Sequence, residues 1–238
     1  MKERDVIIAC DFSSKEETLT FLDQFIEKKP FIKIGMELFY AEGPSIVTEI
    51  KHRGHKIFLD LKLHDIPNTV KKAMKNIARL GVDMTNVHAA GTIEMMKAAL
   101  EAIDEVQAKT QLIAVTQLTS TSEERMKEEL WIEKPMADTV KHYALNAQKA
   151  GLAGVVCSPL EAGMVHEICQ EQFITVTPGI RFDEDSKGDQ VRVTTPLQAR
   201  KIGASYIVVG RPITAACDPK AAYERCLLEF VEGERYEN

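Results

Sequence analysis

Ile57-Phe58-Leu59-Asp60-Leu61-Lys62-Leu63-His64-Asp65-Ile66-Pro67-Asn68-Thr69 reads as a strand that runs into a helix. The apolar flank Ile57-Phe58-Leu59 marks a buried strand, and Pro67 can open a helix because that position needs no N–H and its φ is already helical. Side chains alternate across a strand, so Asp60 and Lys62 should share one face while Leu59, Leu61 and Leu63 pack on the other. Asp65 follows just after the strand. An exposed salt bridge at a strand end would contribute little, whereas charges in a buried strand need a purpose. The Asp, Lys, Asp group at this strand mouth therefore reads as a site.

Outward from this unit, the same alternation recurs along the chain. Strand-like runs occur at Val6–Cys10, Phe31–Ile34, Ile57–Leu59, Val82–Val87, Leu112–Val115, Gly154–Cys157, Phe173–Val176 and Tyr206–Val209, eight in all. Helix signals lie between them: Ser13 or Ser14 ahead of Glu16 and Glu17, Gly43-Pro44 ahead of Ser45 to Arg53, and Thr92 ahead of Glu94 to Val106. Repeated strand then helix implies parallel strands joined by crossover helices. Eight units in 238 residues fit a (β/α)₈ TIM barrel, which typically takes about 250. A doubly wound sheet is the other candidate, but the first strand is followed by Asp11-Phe12-Ser13-Ser14 rather than a glycine-rich phosphate fingerprint. No linker or composition shift divides the chain, so residues 1–238 are expected to form one barrel domain. The interval Thr119 to Leu152 should hold an extra helical turn before a helix from Met136 to Ala150. Arg181 to Val193, poor in apolar residues, reads as a long mobile loop.

Composition narrows the function classes. The net charge is −6 and the pI about 5.6, with basic and acidic residues interspersed, so no basic field marks a nucleic-acid binder. No apolar stretch reaches membrane-spanning length and the N-terminal run is too short for a signal peptide, so a soluble cytoplasmic protein is expected. The five cysteines are scattered without a C-x-x-C pair, as reduced thiols would be. His52 and His55 straddle a helix stop at Gly54 and make a poor metal pair, and no metal site is expected.

In a barrel the active site lies at the C-terminal mouth of the strands. Asp11 closes strand one, Lys33 lies inside strand two, Asp60 and Lys62 end strand three, His88 ends strand four and Thr119 follows strand five. Each has a structural alternative: Asp11 or Thr119 could cap a helix, Lys33 could snorkel, and His88 could be a satisfied core histidine. Pro178-Gly179-Ile180-Arg181 and Gly210-Arg211-Pro212-Ile213 follow strands seven and eight, where barrels often hold a phosphate. Glycine lets backbone N–H groups approach an anion, and arginine offers a planar fork to phosphate oxygens. A phosphorylated small molecule is the natural ligand.

The segments Asp60–Thr69, Phe31-Ile32-Lys33-Ile34-Gly35, Val176-Thr177-Pro178-Gly179-Ile180-Arg181 and Ile207-Val208-Val209-Gly210-Arg211 together resemble the orotidine 5′-monophosphate decarboxylase family in its bacterial form. The resemblance implies a homodimeric barrel with shared active sites. It would convert orotidine monophosphate to uridine monophosphate in pyrimidine biosynthesis, with no metal or organic cofactor. It implies that Asp11 and Lys33 contact the ribose, that Lys33, Asp60, Lys62 and the partner's Asp65 form a charge array, and that Lys62 donates the proton. Ile66 and Thr69 would reach the partner's substrate, Thr119 the pyrimidine, and Pro178, Arg181, Gln190, Gly210 and Arg211 the phosphate and its loop. A related barrel acting on sugar phosphates, a decarboxylase or aldolase, would need a carboxylate at the strand-two position to hold Mg²⁺, where this chain has Lys33. A non-catalytic phosphate-binding barrel would keep Gly210-Arg211 without needing Asp60 and Lys62.

Overall fold

The computed structural model describes residues 4–170, 172–183 and 193–236. Eight parallel strands close on themselves in sequence order, β1 pairing with both β2 and β8. The first half runs β1 (Asp5–Ala9), α1 (Lys15–Leu22), β2 (Phe31–Gly35), α2 (Met36–Glu42), α3 (Ser45–His52), β3 (Ile57–Leu63), α4 (Pro67–Arg79), β4 (Met84–His88) and α5 (Thr92–Glu105). The second runs β5 (Gln111–Val115), α6 (Glu123–Leu130), α7 (Met136–Lys149), β6 (Gly154–Val156), α8 (Pro159–Ile168), β7 (Ile174–Thr177), α9 (Pro196–Ile202), β8 (Tyr206–Val209), α10 (Arg211–Thr214) and α11 (Pro219–Cys226). The expected (β/α)₈ barrel is the fold.

Local chemistry sets these elements. Ser14 caps α1 by accepting from the Glu17 N–H, and Pro67 stands at the start of α4 as expected. Along α4 the buried residues Val70, Met74, Ile77 and Ala78 recur at helical spacing and face the barrel. Thr92, expected to precede its helix, is instead its first residue with φ at +75°, and Gly91 is the cap. A Cβ on Gly91 would lie 2.1 Å from the Met95 sulfur, so a larger residue there would have to displace the end of that side chain. The extra turn expected after strand five is a full helix, α6, which ends on Trp131 in the left-handed conformation. Trp131 is 87% exposed.

Strand alternation divides the core in two. Val6, Ile8, Ile32, Ile34, Ile57 and Leu59 pack outward beneath the helices. Ile7, Phe31, Phe58, Met84, Ile113, Val176 and Tyr206 fill the barrel, with Phe31 and Tyr206 edge to face at 6.3 Å. Two residues further along, on the same inward parity, come Lys33, Asp60 and Asn86. The barrel interior is thus apolar below and charged at the C-terminal mouth.

The narrow point of the wall is Gly154 on β6, which pairs with Ile174 on β7. A Cβ there would stand 2.2 Å from the Ile174 carbonyl oxygen, and a strand backbone cannot yield without breaking its ladder. Gly154→Ala is expected to destabilise the fold by about 2 kcal/mol or more through overpacking. Urea denaturation midpoints check this, and an unchanged midpoint would contradict the close approach.

Candidate active site

β3 does not keep regular alternation to its end. Its pairing with β4 shifts between Leu59 and Leu63: Leu59 faces Thr85 and Leu63 faces Val87, four residues on one strand against two on the other. The excess forms a bulge at Asp60, Leu61 and Lys62, and Lys62 takes φ +51°, a region that non-glycine residues occupy at a cost of about 1 kcal/mol or more. The bulge turns Lys62 so that its Nζ lies 2.8 Å from Asp60 Oδ1.

A line of alternating charge results. Lys33 Nζ donates to Asp11 Oδ1 at 2.7 Å and stands 3.7 Å from Asp60 Oδ2. Asp60 also accepts from Asn86 Nδ2 at 2.7 Å. Lys33 and Asp60 are buried, each 8% exposed, while Asp11 is open to solvent. Gly35 makes room for the first pair, since a Cβ there would meet Asp11 Oδ1 at 3.0 Å and Lys33 Nζ at 3.2 Å. Burial works to raise the Asp60 pKa, but Lys33, Lys62 and the hydrogen bonds from Lys62 and Asn86 outweigh it and hold the carboxyl below its usual range. Burial likewise works against the Lys33 ammonium, and Asp60 and Asp11 outweigh it and hold its pKa up. Both groups stay ionised at neutral pH.

Two cavities open beside this array and share Lys33, Pro178 and Val208. The first, about 250 Å³, is lined by Phe58, Val115, Val156 and Val208 with Asp60, Lys62, Gln117 and Thr119. The second, about 450 Å³, is lined by Asp11, Gly179, Arg181, Gly210 and Arg211. An apolar chamber with a few polar groups suits a flat ring, and a chamber with two arginines and two glycines suits an anion.

Asp11, Lys33, Asp60, Lys62, Thr119, Pro178, Arg181, Gly210 and Arg211 therefore line one continuous mouth. Asp65, Ile66 and Thr69 line neither cavity; all three are exposed, and Asp65 Oδ1 accepts from the Ile66 N–H at 2.6 Å. Gln190, and most of the loop expected from Arg181 to Val193, lie outside the described residues. His88 is half-buried at the end of β4 with its ring 5.6 Å from that of His64. Burial first, then His64 and Lys62, hold its pKa below the usual imidazole range. His55 is buried, its Nδ1 3.0 Å from the Pro30 carbonyl oxygen. Among the described residues no group of three or more His, Cys, Asp or Glu is arranged to hold a metal ion. Sequence reasoning did not single out Asn86, Gln117 or Cys157; the available signal for Asn86 was an amide on the inward parity of a buried strand.

A barrel with a charged, two-chambered mouth suits an enzyme that acts on a small anionic molecule, and comparison with known proteins narrows the class. Residues 4–226 match the Orotidine 5′-phosphate decarboxylase / HUMPS family, and the chain belongs to that family. It is 56% identical over 232 residues to the orotidine 5′-phosphate decarboxylase of Geobacillus thermodenitrificans, covering 96% of this chain and 97% of that one. It is 55% identical over 233 residues to that of Bacillus caldolyticus, covering 96% of each. The crystal structure of orotidine 5′-phosphate decarboxylase from Lactobacillus acidophilus superposes with a TM-score of 0.84 at 42% identity, covering 96% of this chain and 99% of that one.

The array makes stability depend on pH at both extremes. A carboxyl whose folded pKa is depressed contributes stability above the unfolded aspartate range, and that contribution is lost as pH falls through the folded value; a raised lysine pKa acts in the opposite sense at high pH. Wild type should therefore lose stability relative to Asp60→Asn below about pH 4, with a constant difference between about pH 5 and 8. Urea unfolding across that range reads the effect. A difference that stays constant down to about pH 2.5 would contradict the depressed carboxyl.

Proposed function

We propose that this enzyme decarboxylates orotidine 5′-phosphate to uridine 5′-phosphate in the cytoplasm, without metal or organic cofactor, as a homodimer. The observation that carries the reading is Lys62 Nζ held 2.8 Å from buried Asp60 at the edge of an apolar, ring-sized chamber. Loss of CO₂ breaks the bond between C6 and the carboxylate and leaves the electron pair in an in-plane orbital that the pyrimidine ring cannot delocalise. A cation placed at that point stabilises the developing charge. Lys62 is that cation, and its proton passes to C6 as the pair forms the new C–H bond; solvent reprotonates the lysine. Asp60 holds the ammonium in line, and its charge beside the substrate carboxylate favours departure of CO₂. Asp11 and Lys33 meet the ribose, Thr119 the base, and Pro178, Arg181, Gly210 and Arg211 the phosphate.

Magnitudes show why both chambers are needed. One charge pair at 4 Å in a partly screened site contributes about 4 kcal/mol, against up to about 23 kcal/mol of barrier lowering in demanding enzymes. Binding energy from the phosphate chamber, realised in the transition state, supplies much of the remainder. The Mg²⁺-dependent sugar-phosphate chemistry is disfavoured by Lys33, whose ammonium occupies the strand-two position beside Asp11 and Asp60 and would repel a divalent cation.

Absorbance change on incubation with orotidine 5′-phosphate tests the activity. Turnover is expected to persist after exhaustive chelation, and Lys62→Ala is expected to lower kcat by roughly 10⁴-fold or more with the circular dichroism spectrum unchanged. Loss of turnover in EDTA restored by Mg²⁺ would favour the sugar-phosphate chemistry, and a Lys62→Ala enzyme keeping a tenth of wild-type turnover would remove lysine from its role.

The exposure of Asp65, Ile66 and Thr69, away from both cavities of their own chain, supports their serving a second subunit's site. Lys62→Ala and Asp65→Ala dimers should each be nearly inactive. Refolding a 1:1 mixture gives about half hybrid dimers, in which one site carries both lesions and the other none. About a quarter of wild-type activity is expected to return. No recovery in hybrids verified by mass would place Asp65 in the service of its own chain.

A further inference from the structure

Asn86 is fully buried on β4, and both ends of its amide are engaged by β3. Its Oδ1 accepts from the Lys62 main-chain N–H at 2.8 Å, and its Nδ2 donates to Asp60 Oδ1 at 2.7 Å. The first bond falls inside the bulge, where the β3–β4 ladder is interrupted and Lys62 holds its left-handed backbone. The second falls on the same carboxylate oxygen that receives the Lys62 ammonium at 2.8 Å. One amide thus fixes the lysine by its backbone and its counter-ion by the side chain.

We infer that Asn86 is the positioning residue for Lys62: it holds the lysine's main chain in the bulge and orients Asp60, which together aim the ammonium into the apolar chamber. The bulge creates the need. With the ladder shifted, the Lys62 N–H takes its partner from the Asn86 side chain, and only a side chain carrying both an acceptor and a donor in one plane can satisfy that N–H and the carboxylate together. Aspartate reproduces the shape and the acceptor but has a donor only when protonated. Beside Asp60, an aspartate at position 86 would share a proton, its pKa driven up by the like charge. The other ionisable groups that act on Asp60 are Lys33 on β2, Lys62 on β3 and His88 on β4, with His64 just past β3 beside His88, and these are common to wild type and variant.

The inference rests on the assignment of Lys62 as proton donor, so the test has one arm that reads turnover and one that does not. Asn86→Ala should lower kcat by about 10²-fold, the scale of a small misplacement of a reacting group, while KM for orotidine 5′-phosphate changes less than about threefold, because the phosphate chamber is untouched. In Asn86→Asp the ratio of kcat to wild type should rise by up to about tenfold for each pH unit lowered above the pKa of the carboxyl pair, as protonation restores the donor. Without reference to turnover, amide hydrogen exchange at Lys62 should quicken at least about tenfold in Asn86→Ala and stay slow in Asn86→Asp. Unchanged Lys62 exchange in Asn86→Ala overturns the inference even if the wild-type enzyme proves inactive toward orotidine 5′-phosphate, an outcome that would separately overturn the proposed function. Lost protection with wild-type kcat, or an Asn86→Asp pH profile parallel to wild type, overturns it equally.

Discussion

A carboxylate shut inside a barrel is the constraint around which this mouth is built. Asp60 is almost out of reach of water, and a lone buried charge would cost several kcal/mol or simply take up a proton. It remains ionised because an ammonium approaches each of its oxygens, Lys62 at one and Lys33 at the other. Lys33 is itself buried and needs Asp11 as well, and Asp11 ends the line in solvent. The four charges cancel, and no member can be withdrawn without stranding its neighbour. Parity then decides where this group can sit: inward positions lower in the barrel are filled by Phe31, Phe58 and Met84, so the charges collect where the strands end.

That location couples electrostatics to shape. Phe58 of the apolar layer under Asp60 lines the smaller chamber together with Val115, Val156 and Val208, and Lys62 shares that wall. The apolar wall lowers the local dielectric beside the Lys62 ammonium and strengthens its field there. The larger chamber, with its arginines and glycines, is chemically suited to an anion, and Lys33 lines both chambers.

Much of this was legible in the chain. The eight strands could be counted because each is a short apolar or β-branched run set off by turn residues, and the charged positions at their ends pointed to one mouth. Boundaries were less legible for a physical reason. The apolar run of strand three stops at Leu59 because Asp60 and Lys62 interrupt the pattern, yet the strand continues through its bulge to Leu63. The bulge was invisible, since it arises from the register against β4 and not from any residue of β3. Asn86 escaped notice because asparagine within a run normally marks a turn, and its value here lies in contacts to a strand more than twenty residues away. Asp65 was singled out as part of the charged group at the strand mouth, and Ile66 and Thr69 by family resemblance alone; within one chain all three are surface residues.

Trp131 carries a consequence of another kind. It is the sole tryptophan of the chain and stands almost bare at the left-handed end of α6, on the connection that leaves β5 and the smaller chamber. An indole in water emits at long wavelength and is open to collisional quenchers. The protein therefore carries a built-in optical reporter with no competing indole signal, and any event that covers this connection, whether a second subunit or a docked molecule, would be read as a blue shift and loss of quenching without attaching a dye.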